Sequence, residues 1–203
     1  MDAAPGPGAQ APGGRERFAP VARRPALTAA LAVAVVTLLG WRFGPRPELA
    51  AFVYFGVVAV LLAVIDAAIK RLPDPLTLPS YPVGAALLGA AAPFTEDGGA
   101  RYLHALIGMA ALWLLYAVQW FLVPGQLGFG DVKLAGVLGL YLGWLGPAAA
   151  VAGVLAIHVS SALYALALLL TGRAGPRTQI PFGPFMIAGT LFAVTLYAPG
   201  WNG

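Results

Sequence analysis

"LAAFVYFGVVAVLLAVIDAAIK", residues 49–70, decides the fold. Over 49–69 it holds one charged side chain, Asp66, and Lys70 follows at once. A membrane-crossing helix needs about 20 apolar residues. The rest of the chain has the same character. It is 60% hydrophobic and 10% charged, whereas soluble domains carry about 25% charged residues. Further apolar runs lie near 26–41, 80–93, 102–123, 131–146, 147–171 and 184–199. The expectation is an all-α, polytopic membrane helix bundle of about seven transmembrane helices. The runs at 80–93, 131–146 and 184–199 are short for a span. They suit tilted helices, or helices inside a bundle where lipid is not their only neighbour. "LGPAAA", at 145–150, reads as a tight Gly-Pro turn between two helices.

Residues 1–25 are rich in Pro, Gly and Ala, without apolar periodicity, and read as a disordered basic tail. The run at 26–41 follows Arg23-Arg24 and reads as an uncleaved first helix, not a signal peptide. With the tail inside, Arg15, Arg17, Arg23, Arg24, Lys70, Arg71, Lys133, Arg173 and Arg177 fall on the inner side. Arg42, Arg46 and Arg101 fall outside. Nine cations against three is a positive-inside bias. It predicts N-terminus in and C-terminus out, with "KRLPDPLTLP", "PGQLGFGDVK" and "TGRAGPRTQIPFGP" together on the inner face. Trp113, Trp120, Trp144 and Trp201 fit interfacial belts.

Several functions are excluded or unsupported. There is no cysteine, hence no disulfide, thiol nucleophile or Cys-based metal site. His104 and His158 stand alone, without metal-ligand spacing, and no cofactor motif is present, so neither metal nor cofactor is expected. His158 lies mid-helix and reads as a neutral ring bonded to a neighbouring helix. The net charge of +4 is topological and gives no reason to expect nucleic acid.

The acids carry the chemistry. Asp2, Glu16, Glu48, Glu96 and Asp97 read as solvated tail or loop charges. Asp66 sits four residues before Lys70, about 6 Å inside the helix end. An acid at the centre of a membrane helix costs roughly 2.5–3.5 kcal/mol, and less near its end. Such residues usually face the bundle interior and act there; the plain alternative is an i,i+4 pair with Lys70. Asp131 follows Gly128-Phe129-Gly130, and the plain alternative there is a helix N-cap. Asp66 ends one helix on the inner face and Asp131 begins another on the same face. Two carboxylates brought together can share one proton, activate a water and protonate a scissile amide. Gly128 and Gly130 let a backbone approach closely. Asp74, between two prolines, reads as a turn former or a substrate-binding group, and Lys133 is assigned to the same binding side. Pro181 and Gly183 of "IPFGPF" read as a groove for an extended substrate strand, or as an ordinary helix start at Pro184. The acids alone also permit a transporter or channel with a proton or cation relay.

Three stretches in order, "VIDAAIKRLPDPLTLP" (64–79), "GFGDVKLAGVLGLYLGW" (128–144) and "IPFGPFMIAGTLFA" (180–193), resemble the type IV prepilin peptidase family of GxGD membrane aspartic proteases. The resemblance covers about 49–199. It implies a six-helix catalytic core preceded here by an extra helix at 26–41, and it implies Asp66 and Asp131 as catalytic aspartates. The implied partners are the bilayer of the bacterial cytoplasmic membrane and prepilin-like precursors. These are cut on the cytoplasmic side just before their apolar stretch. Longer members carry a cytoplasmic domain, usually with paired cysteines, between the first helix and the core, and methylate the new N-terminus. Here only "RFGPRPE" (42–48) joins the two, so methylation is not expected. Oligomeric state is not legible.

Overall fold

A computed structural model describes residues 17–125, 127–173 and 180–200. Among them seven helices of 15 residues or more carry the chain: α1 (Pro25–Phe43), α2 (Leu49–Ile69), α3 (Asp74–Ala91), α4 (Gly98–Leu122), α5 (Phe129–Leu145), α6 (Pro147–Leu170) and α7 (Gly183–Tyr197). The protein is an all-helical membrane bundle. Four of these helices, α1, α2, α4 and α6, are long and apolar enough to cross a membrane.

Local chemistry sets the boundaries. Prolines occupy the first turns of α1 and α6, where a missing N–H costs nothing. Gly44 and Gly146 close α1 and α5 with φ of +59° and +111°, a region that side chains resist. The Gly146-Pro147 turn is as tight as its sequence suggests. Lys70 ends α2 in the left-handed region, and its N–H bonds the Asp66 carbonyl at 2.8 Å.

Three expectations are corrected here. The third helix begins at Asp74, six residues before its apolar run, and keeps Pro79 and Pro82 inside it. Pro73 and Pro75 frame a valid first turn, and Thr77 and Ser80 turn their hydroxyls back onto the Pro73 and Leu76 carbonyls at 3.3 and 2.7 Å. Within the expected disordered tail, Ala19–Arg23 forms a short helix with Pro20 buried; residues 1–16 lie outside the described residues. Trp144 is 1% exposed and belongs to the core, while Trp113 and Trp120 are exposed as belt residues would be. Trp201 lies outside the described residues.

The short helix α5 is the centre of the bundle, with twelve of its seventeen residues buried, against three of twenty-four in α6. Its length follows from that position: protein covers it, so lipid thickness does not set its span. Along one side it meets α4 with almost no separation. A Cβ on Gly108 would stand 2.5 Å from the Gly139 carbonyl oxygen, and one on Gly139 would strike the Gly108 carbonyl. Small residues at such a seam let backbones touch and gain dispersion where lipid offers no hydrophobic drive. On the other side Tyr141 receives Phe52 and Phe55 of α2, with ring centroids 5.4 and 4.6 Å apart.

At the end of the bundle away from Asp66, two arginines tie α1 to α7. Arg42 donates from Nε to the Thr195 carbonyl (2.7 Å) and from Nη2 to that of Ala198 (3.3 Å), and Arg46 reaches the Pro199 carbonyl (3.2 Å). These satisfy carbonyls that the last turn of a helix leaves open, and they set cations against its negative end. Glu48 is also buried here, 1% exposed, with Thr95 Oγ1 3.4 Å from one carboxylate oxygen. The reading of Glu48 as a solvated loop charge is therefore wrong. Glu96 and Asp97 are exposed as expected.

Candidate active site

Asp66 occupies the last full turn of α2. It is 4% exposed, and its Oδ2 accepts the Gly183 N–H at 3.0 Å. That donor is one of the first N–H groups of α7, which have no partner within their own helix. A carboxylate at a helix start also meets the positive end of the helix dipole. Gly183 leaves little room: a Cβ there would lie 2.8 Å from the same oxygen, so the carboxylate would have to shift. The sequence reading gave Gly183 to a substrate groove, whereas the structure buries it and gives its N–H to Asp66. Pro184 sits in the first turn of α7, as the helix-start alternative has it. Lys70, one turn beyond Asp66, lies within electrostatic range of it.

Asp131 occupies the third position of α5, not its N-cap. Gly128 is the N-cap, in extended conformation, and Asp131 Oδ2 reaches back to the Gly128 N–H at 3.0 Å. This is the returning half of a capping box; glycine has no side chain to make the other half. A Cβ on Gly128 would meet that oxygen at 3.2 Å. Asp66 and Asp131 lie at the same end of the bundle, and the Asp66 charge reaches Asp131. Both are held in one manner, by a backbone N–H at the start of a helix.

The remaining residues named from the sequence surround this pair. Gly130 faces Leu72, whose Cβ would be 3.2 Å from an added side chain, so the loop after α2 rests on the glycine turn. Asp74 and Lys133 form a 2.8 Å ion pair at the surface, joining the starts of α3 and α5. Lys133 Nζ also stands 5.3 Å from the Phe129 ring centroid, a favourable place for a cation. Tyr81 of α3 donates its hydroxyl to the Lys133 carbonyl at 2.5 Å. Pro181 is half-buried in the link leading to α7. Residues 174–179, part of the same expected inner loop, lie outside the described residues.

His158 bonds its own helix, Nδ1 to the Val154 carbonyl at 2.8 Å, and not a neighbour. Since a carbonyl only accepts, Nδ1 carries the proton of this bond. The described residues contain no group of three or more His, Cys, Asp or Glu side chains arranged to hold a metal. Sequence reasoning missed Tyr116, which is fully buried beside His158 and Phe182; one tyrosine in an apolar helix carries no signal of its own.

The chain was compared with known proteins. The model of the type IV leader peptidase family matches residues 52–198. A Burkholderia pseudomallei protein named prepilin leader peptidase/N-methyltransferase is 35% identical over 173 residues, covering 83% of this chain and 51% of its own length. Proteins of the same name from Bacillus subtilis (34% identical, 76% of this chain, 58% of their own) and Aeromonas salmonicida (36%, 80% and 54%) are similar too. The chain thus spans about half the length of the curated relatives it matches. No solved structure matches it.

Proposed function

This chain belongs to the type IV leader peptidase family, and on that premise we propose that it is an aspartic endopeptidase of the bacterial cytoplasmic membrane, removing the leaders of type IV prepilin-like precursors. The observation that carries the reading is the pair Asp66 and Asp131. Two acids sit at one end of an apolar bundle, each fixed by a helix-start N–H, with the charge of Asp66 reaching Asp131. Family membership favours this over the relay of a transporter.

The chemistry follows from the pair. Two close carboxyls hold one proton between them. The ionised one takes a proton from a water, whose oxygen attacks the scissile carbonyl carbon. The protonated one gives its proton to the carbonyl oxygen. As the C–N bond breaks, the proton taken from water passes to the leaving nitrogen, a hydroxyl of the tetrahedral intermediate gives its proton back to the other carboxylate as the new carboxyl group forms, and the pair returns to one shared proton. The fixed N–H donors keep each carboxylate from rotating away, so less ordering remains for the moment of reaction.

The catalytic core is α2–α7, the site faces the cytoplasm, the N-terminus lies inside and the C-terminus outside. Substrate runs past the Gly128–Gly130 turn, with the Asp74–Lys133 pair at the mouth. The peptide left after cleavage stays unmethylated, because the α1–α2 connection is short and no cysteine is present.

The test is co-expression with a precursor bearing a short basic leader, a glycine and an apolar run, read by mass. Asp66→Asn and Asp131→Asn should each abolish the mass loss while the protein still accumulates in the membrane. A single mutant that processes at the wild-type rate removes that residue from the mechanism. The mature product should carry a free α-amine, and an added methyl mass there refutes the last part.

A further inference from the structure

Tyr116 of α4 stands between the two aspartate anchors. On one side its ring is 6.3 Å from that of Phe182, the residue directly before the Gly183 that holds Asp66. On the other side the α4–α5 seam sets its level. An added Cβ on Gly139 would lie 3.0 Å from Leu112 Cβ, and Trp120 meets Phe129 edge-on at 5.4 Å. Tyr116 is one turn from each of Leu112 and Trp120 on the same face of α4. It therefore faces the opening turns of α5, where Asp131 is, and its hydroxyl is within electrostatic range of that carboxylate. His158 closes the third side, ring centroids 5.9 Å apart.

The side chain is 0% exposed, and its hydroxyl has no hydrogen-bond partner among the described residues. A buried hydroxyl left unpaired is unfavourable, and a phenylalanine would fill the same space without that cost. Tyr141 shares that property, so what sets Tyr116 apart is the carboxylate within its reach.

We propose that Tyr116 is a positioning residue of the peptidase centre, its hydroxyl donating to the Asp131 carboxyl across one water and completing the hold that the Gly128 N–H begins. This rests on the peptidase reading. With one oxygen of Asp131 fixed by Gly128 and the carboxyl plane fixed by Tyr116, the group keeps the angle that the attacking water requires. The hydroxyl acts through Asp131 and does not touch the substrate.

Tyr116→Phe keeps the ring and removes only the oxygen. Tyr141→Phe is the matched control, since Tyr141 is equally buried and its hydroxyl equally unpaired, but it packs on Phe52 and Phe55 away from the pair. Purified enzyme and a synthetic precursor peptide give kcat and KM, and a thermal melt gives stability. Losing a hydrogen bond to a charged group predicts that Tyr116→Phe lowers kcat by about tenfold to a hundredfold. KM and Tm should hold, and Tyr141→Phe should behave as wild type. The proposal is overturned by wild-type kcat in Tyr116→Phe, by a rise in KM alone, by a fall in Tm of more than about 5 °C, or by an equal kcat loss in Tyr141→Phe. A wild-type protein that cleaves no precursor sinks the peptidase reading itself, a distinct result.

Discussion

Replacing Gly183 by alanine tests whether the α7 start holds Asp66 for catalysis or only packs there. The added Cβ would lie 2.8, 3.1 and 3.3 Å from Oδ2, Cγ and Cβ of Asp66. Ordinary contact begins near 3.4 Å, so the carboxylate must retreat by about 0.6 Å. Taken along the bond, that stretches the Gly183 N–H contact from 3.0 Å to about 3.6 Å, beyond a useful hydrogen bond. A bond to a charged group contributes about 1.5–3 kcal/mol, which corresponds to roughly tenfold to a hundredfold in rate. Stability should barely move, because Gly183 has no positive φ to protect and alanine favours a helix more than glycine does. The assay is initial cleavage rate of a precursor peptide by detergent-purified protein, with Tm followed by tryptophan fluorescence. Wild-type kcat in Gly183→Ala would refute the claim that this N–H serves the reaction. A parallel loss of kcat and Tm would assign the contact to folding instead.

Arg42→Ala should lower Tm by several degrees, because it strips donors from the carbonyls of Thr195 and Ala198 and opens buried space; an unchanged melt would show that the tie carries no stability. Breaking the Asp74–Lys133 pair should cost under about 1 kcal/mol, as exposed pairs do. If the pair borders the substrate path, Lys133→Ala raises KM at unchanged Tm, and an unmoved KM takes it out of binding.

The sequence carried the helices and both aspartates because those signals are local. An apolar run is visible without knowing its neighbours, and an acid inside it stands out. The misreadings have the opposite property. Glu48 sits in a loop-like stretch, and its burial beside Thr95 depends on a residue far along the chain. Trp144 looks like a belt residue until α5 is known to be enclosed. The early start of α3 was hidden by prolines, which stop an inward-growing helix yet suit a first turn. Asp131 was legible as a helix-start residue, but its reach back to Gly128 required the backbone path of the turn.

The tie between α1 and α7 also fixes an order of events. Arg42 bonds residues 153 and 156 positions later, and Asp66 waits 117 positions for the Gly183 N–H. Both bonds reach α7, the last of the described helices to be made. Contacts so distant in sequence form late, after the loop-closure entropy of everything between has been met. A half-synthesised chain thus carries its acid in the membrane without the donor that orients it. The arrival of α7 closes the clasp and brings Asp66 its donor in a single docking step, so the acid is oriented only once α7 is in place.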